Sequence, residues 1–189
     1  MQRLSVNAIG PAEPVSRPVR VWDRLVRVFH WTTVVGVLLA FLTDEWRQAH
    51  LAVGYIVMGA VVVRVIWGFV GSVHARFDDF VPGPRRLWRY GQSMMRLREP
   101  RHLGHNPAGG AMVMALLLTL ILVSLSGWMM TWDAFWGEEW LEETHEFFTH
   151  VLLWLVPLHV LGVIWSSYRH RENLVKAMVT GDKAEVIHS

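Results

Sequence analysis

The chain has 189 residues, of which 52% are hydrophobic and 18% charged, with a formal net charge of +2. Ten histidines and eleven tryptophans stand beside no cysteine. This length is about one domain's worth. The apolar content excludes a disordered chain. The missing cysteine excludes disulfides, iron–sulfur ligation, thiolate nucleophiles and covalent c-type haem attachment.

Taken in chain order, residues 1–20 contain Pro and Arg but no apolar run. They read as a disordered cytoplasmic tail and not as a signal peptide. Spanning about 30 Å of hydrocarbon takes about 20 helical residues. Val28 to Thr43 is uncharged but short. It reaches spanning length if the helix starts near Trp22, with Arg24 and Arg27 snorkelling, which predicts a first span over 22–43. A second span covers 50–71 and carries one charge, Arg64. The next stretch, from Val73 to Asn106, is a loop in which Arg85 to Arg98 forms a basic helix on the membrane surface. Third and fourth spans are expected over 108–132 and 145–168. A short tail, 182–189, ends the chain. The expected architecture is therefore an all-α integral membrane protein, a four-helix transmembrane bundle occupying residues 21–181.

Sixteen of the eighteen Lys and Arg residues fall in the N-terminal segment, the middle loop or the C-terminal segment. The link from Asp133 to Thr144 has none and is acidic. By the positive-inside rule both termini and the middle loop are cytoplasmic. The basic character thus reflects membrane orientation, and no nucleic-acid partner is expected. Trp22, Trp31, Trp67 and Trp165 on the inner side, and Trp46, Trp132, Trp136 and Trp140 on the outer, fit an aromatic belt.

Ionisable residues inside spans are functional candidates. His145 and His159 are fourteen residues apart on the fourth span. They share a face, about 40° short of four full turns, and lie about 21 Å apart along the axis. His150 points elsewhere. His50 matches the depth of His145 at the outer side, and His30 matches His159 at the inner side. The result is two stacked bis-histidine levels. A haem b with two axial imidazoles fits each level. A bare zinc or copper ion would want further ligands. Arg64 shares the face of His50 one bundle-length inward, where it either meets a haem propionate or snorkels to headgroups. Asn106 and Pro107 read as N-cap and first residue of the third span. That makes His105 a residue at the helix start first, and a quinone or proton-relay candidate second.

Several short stretches carry a family resemblance. They are Arg27-Val28-Phe29-His30-Trp31, His50 with Gly54-Tyr55, Arg64-x-x-Trp67-Gly68-x-x-Gly71 and Ala75-Arg76-Phe77-x-Asp79-Phe80. Gly104-His105-Asn106-Pro107-x-Gly109, His145-Glu146, His159 with Gly162-Val163 and Glu172-Asn173-Leu174-Val175-x-Ala177-Met178 complete the set. Together, over about residues 20–181, the chain resembles bacterial di-haem b-type cytochromes, namely cytochrome b561 and the cytochrome b subunits of nickel–iron hydrogenases. The long middle loop places it nearer the hydrogenase branch. The resemblance implies two b haems with axial ligands His30, His50, His145 and His159. It implies electron transfer in a bacterial inner membrane between the quinone pool and a redox partner, such as a hydrogenase or a periplasmic cytochrome. Arg76 and His105 are further cofactor-binding candidates, and a bound quinone and a homo-oligomer are both compatible. A self-sufficient quinone oxidoreductase and a haem-free, histidine-lined channel or transporter are the competing readings.

Overall fold

The computed structural model describes residues 16–98 and 100–186. Most of the expected N-terminal tail, residues 1–15, and the last three residues of the C-terminal tail lie outside the described residues. The elements in order are β1 (Ser16–Arg20), α1 (Arg24–Leu42), α2 (Arg47–Val70), α3 (Phe77–Phe80), α4 (Pro84–Met95), α5 (Pro107–Met129), α6 (Glu139–His170), α7 (Leu174–Thr180) and β2 (Asp182–Val186). Short 3-10 turns occupy Val73–Ala75 and Asp133–Phe135. Among the described residues, helices α1, α2, α5 and α6 are long and apolar enough to cross a membrane. The chain is an all-α integral membrane bundle, as its hydropathy pattern requires.

Local chemistry sets the ends of the spans. Asp23 caps α1, its carboxylate accepting from the Val26 amide at 2.8 Å. Asn106 caps α5 by accepting from the Gly109 amide at 2.7 Å, with Pro107 in the first turn where no N–H is needed. A four-residue link joins α1 to α2, so α2 starts three residues before the expected position. The largest departure is α6, which begins at Glu139 and not near 145. Glu139 and Glu142 occupy its first turn, and Arg169 and His170 its last, both matched to the helix dipole. Charge marks where a helix leaves the hydrocarbon; it does not end the helix.

Close backbone packing runs α1 on α2, α2 on α5, and α5 on α6. Helix α6 makes no comparable approach to α1 or α2. A space is left along that side of the bundle. A side chain at Gly36 would collide with Val57, so α1 lies against α2 only because position 36 has none. Val57, Val61, Leu117, Leu120 and Leu152 form the buried mid-bundle layer. Outward residues such as Phe69, Leu118, Trp154 and Leu161 are exposed, as lipid contact demands.

The N-terminal segment, the α2–α5 loop and the C-terminal segment converge on one end of the bundle. This is the basic end, and the two short links 43–46 and 130–138 form the acidic end. Strand β1 pairs antiparallel with β2, with Arg20 opposite Asp182. Residues at the edges of both expected tails thus belong to a small ribbon. Val21, Trp22, Val26, Ala75 and Ala177 make a second core beneath it. Trp22 is only 5% exposed, so it is a core residue and not a belt anchor. The expected basic surface helix is α4, which packs against α5 and buries Tyr90, whose ring lies 6.0 Å from that of His102.

Candidate functional site: two pairs of facing histidines

Helix α6 faces α1 near the basic end and α2 near the acidic end, and each place holds a histidine pair. The rings of His30 and His159 have centroids 6.5 Å apart. Those of His50 and His145 are 6.3 Å apart. A metal–imidazole bond is about 2.0–2.1 Å, and a ring nitrogen lies about 1.1 Å from its centroid, so two imidazoles trans on one ion sit about 6.3 Å apart. Both pairs have that separation. It is too long for a direct hydrogen bond between the rings and too short for an intervening side chain.

The pair at the acidic end is oriented by the backbone. His50 Nδ1 lies 3.0 Å from the Ala40 carbonyl, which makes this nitrogen the N–H donor. His145 Nδ1 lies 3.1 Å from both the Val123 carbonyl and Ser126 Oγ. The Ser126 hydroxyl donates to the Leu122 carbonyl at 2.8 Å, so its oxygen is free to accept from the ring. In both rings Nε2 then keeps its lone pair for a ligand, the arrangement that orients metal-bound histidines. Gly127 supports this geometry sterically. A Cβ there would sit 3.0 Å from the His145 ring.

The pair at the basic end is built differently. His30 Nδ1 is buried and bonds to no protein atom. Nearby, Arg64 is 3% exposed, with its guanidinium 5.5 Å from the Phe77 ring and 5.7 Å from the Phe80 ring. Its Nη1 is buried without a partner. A buried cation with an open donor is costly, and an anionic oxygen reaching it would remove that cost. Arg64 does not snorkel to the surface.

His105 is enclosed by Trp22 at 4.5 Å and Phe80 at 5.0 Å between ring centroids. Burial, with the Arg64 charge second, pushes its pKa down to about 3, so it is neutral at physiological pH. Its Nδ1 also lacks a protein partner. Arg76 stands half-exposed, with Nε 3.5 Å from Asp78. Nothing in the structure joins it to His30 or His159. His150 is exposed and off the pairing face. The sequence does not reveal Ser126 or the carbonyls of Ala40 and Val123 as ring partners. Carbonyls leave no side-chain signal, and one serine in an uncharged span reads as packing.

No cluster of three or more His, Cys, Asp or Glu side chains able to hold a metal ion occurs among the described residues. Each pair therefore offers two ligands, and a metal held there needs its remaining ligands from a prosthetic macrocycle. Haem fits that donor set, the ring spacing and the open donor of Arg64.

Four spanning helices with facing intramembrane imidazoles and no cysteine define a multi-pass membrane cytochrome of the b type. The chain belongs to the prokaryotic cytochrome b561 family, whose sequence profile matches residues 21–181. It is similar to a probable Ni/Fe-hydrogenase B-type cytochrome subunit of Rhizobium leguminosarum biovar viciae, at 22% identity over 96% of this chain and 95% of the relative. The corresponding protein of Azotobacter vinelandii is 23% identical over 86% of this chain and 87% of its own. A probable Ni/Fe-hydrogenase 1 B-type cytochrome subunit of Escherichia coli K12 matches at 22% over 58% of this chain and 59% of its own. No solved structure matches the chain. The protein is a membrane electron-transfer protein carrying b-type haem.

Proposed function

We propose that the chain carries electrons across a bacterial inner membrane through two b haems. His30 and His159 hold one at the basic end, and His50 and His145 hold the other at the acidic end. The observation that carries this reading is the centroid spacing, 6.5 Å and 6.3 Å, in two separate pairs. Haem supplies reversible one-electron chemistry when bound.

The chain's own residues do the rest. The four imidazoles fix two redox levels along α6, about 21 Å apart along its axis. Val57, Val61, Leu117, Leu120 and Leu152 exclude water from the layer between them. Arg64 neutralises carboxylate charge at the basic end, and Arg76 serves as a second, more exposed cation there. His105 stays neutral beside Arg64 and offers a nitrogen to a small polar ligand such as a quinone.

The distribution of Lys and Arg orients the basic end to the cytoplasm. The names of the relatives support a hydrogenase as the redox partner, with the quinone pool on the other side of the reaction. The acidic end, with Asp133, Glu138, Glu139, Glu142 and Glu143, favours a basic surface on a partner that approaches from outside.

The test is haem stoichiometry in the purified chain. Two low-spin haems per chain are expected. His145→Ala should remove one and leave the other, and His30→Ala should remove the complementary one. One haem in the unmodified chain, or loss of both in either variant with the fold intact, would overturn the assignment. Rapid haem reduction by added quinol in the isolated chain would mark the protein as a quinone oxidoreductase in its own right.

A further inference from the structure

A furrow on the lipid-facing side of α1, remote from the gap facing α6, is not used by the electron-transfer reading. At the basic end it has a volume of about 480 Å³ and is bounded by Arg24, Arg27, Trp31 and Thr32, with α7 closing one side. Trp31 and Thr32 also line a second hollow of about 370 Å³, which continues along α1 past Gly36 to Leu39. The two hollows form one track. From Arg24 to Leu39 it runs about 22 Å along the helix, enough to cross one leaflet of about 15 Å of hydrocarbon and reach its headgroups.

Chemistry changes along this track. The mouth carries two guanidinium groups, and the remainder is mostly apolar. Arg24 is exposed and has no acidic partner among the described residues. Arg27 donates through Nη1 to the Val179 carbonyl, while its Nε is buried without a partner. Two nearby carboxylates, Asp23 next to Arg24 in the chain and Asp182 next to the Gly181 that lies against Arg27, are already engaged. Asp23 is held by Trp67, Ser72 and the Val26 amide, and Asp182 by Arg20. The depth of Gly36 comes from its missing side chain, which brings α2 close and leaves a trough beside it.

We propose that this track is a binding site for one anionic phospholipid. Its phosphate sits against Arg24 and Arg27, and one acyl chain lies along Trp31, Thr32, Gly36 and Leu39. Paired arginines at interface depth match phosphate oxygens. A neutral isoprenoid quinone has a comparable shape, but it would leave both cations without a counter-charge. The site is independent of how many haems the bundle holds.

Native mass spectrometry of the full chain in detergent tests this. Phosphatidylglycerol is compared with phosphatidylcholine of identical acyl chains, and a long-tailed quinone and inorganic phosphate are added as competitors. Each basic residue near an anionic headgroup is worth about a fivefold preference. Phosphatidylglycerol should therefore be retained more than tenfold over phosphatidylcholine, and Arg24→Gln should cut retention about fivefold. Arg24 is exposed and makes no side-chain hydrogen bond or ion pair among the described residues, so this variant should fold normally. Thr32→Trp, which fills the furrow, should abolish retention without changing the haem spectrum. Equal retention of both lipids, or unchanged retention in both variants, would overturn the proposal. So would displacement by quinone at equal concentration, or by inorganic phosphate alone.

Discussion

The two histidine pairs have nearly the same ring separation but reach it by different means. At the acidic end, backbone carbonyls hold both rings through Nδ1, and the missing side chain of Gly127 makes the room the His145 ring needs. At the basic end, His30 has no such bond, and the surroundings are a buried cation, two phenylalanines and the tilted rings of the Trp22–His105–Phe80 cluster. One site is oriented by the helices that cross the membrane. The other is enclosed by segments outside the spans, which arrive from three separated parts of the chain. Ring orientation at the acidic end should therefore be robust to changes in the loops, while the electrostatics of the basic end should depend on them.

The largest effect that would break this contrast lies at Gly127. Gly127→Leu forces the His145 ring away, with an overpacking cost of about 1–3 kcal/mol. With a haem held by each pair, as proposed, the expected outcome is loss of about half the Soret absorbance, with the signal of the proposed His30–His159 site unchanged in a redox titration. Arg64→Leu should act only at the basic end. Removing a buried positive charge favours the oxidised state, so one midpoint potential should fall by tens of millivolts, on the order of 1–2 kcal/mol at an effective dielectric near 20. The other should not move, and Arg64→Lys should restore most of the difference.

Asp23 gives the smallest of these effects, and it sharpens the contrast by touching the enclosing segments alone. Its carboxylate accepts from Trp67 Nε1 at 2.9 Å, Ser72 Oγ at 2.5 Å and the Val26 amide. Partial burial alone would raise its pKa, but these bonds outweigh burial and hold it below 3.8. The group therefore contributes stability that is present above its unfolded value and is lost as the pH falls through the depressed folded value. Asp23→Asn should lower stability by about 1 kcal/mol at neutral pH. It should also flatten the dependence of the thermal midpoint on pH below about 4, where the unmodified chain loses stability.

Much of the molecule was legible in the sequence because the signals are local. Uncharged runs mark α1, α2, α5 and α6, and a fourteen-residue spacing puts His145 and His159 on one face. Asn106 and Pro107 announce the start of α5. Other features escaped because they are set by distant contacts. The pairing of β1 with β2 joins segments more than 160 residues apart, and neither is apolar enough to be noticed. Trp22 reads as an interface anchor from its depth alone, since nothing local reveals that α7 and the middle loop cover it. The start of α6 at Glu139 escapes the hydropathy pattern because the acidic residues of its first turns end the hydrophobic run and not the helix.

Helix α6 supplies one ring to each pair, and this makes it a shared shaft. A rotation of α6 would turn His145 and His159 together, so neither can be adjusted by moving the helix without disturbing the other. Inserting a single residue between them would turn one ring by about 100° relative to its fellow. The interval from 146 to 158 can therefore drift in composition far more freely than in length. What this stretch of chain must transmit is a number of residues, read out as an angle.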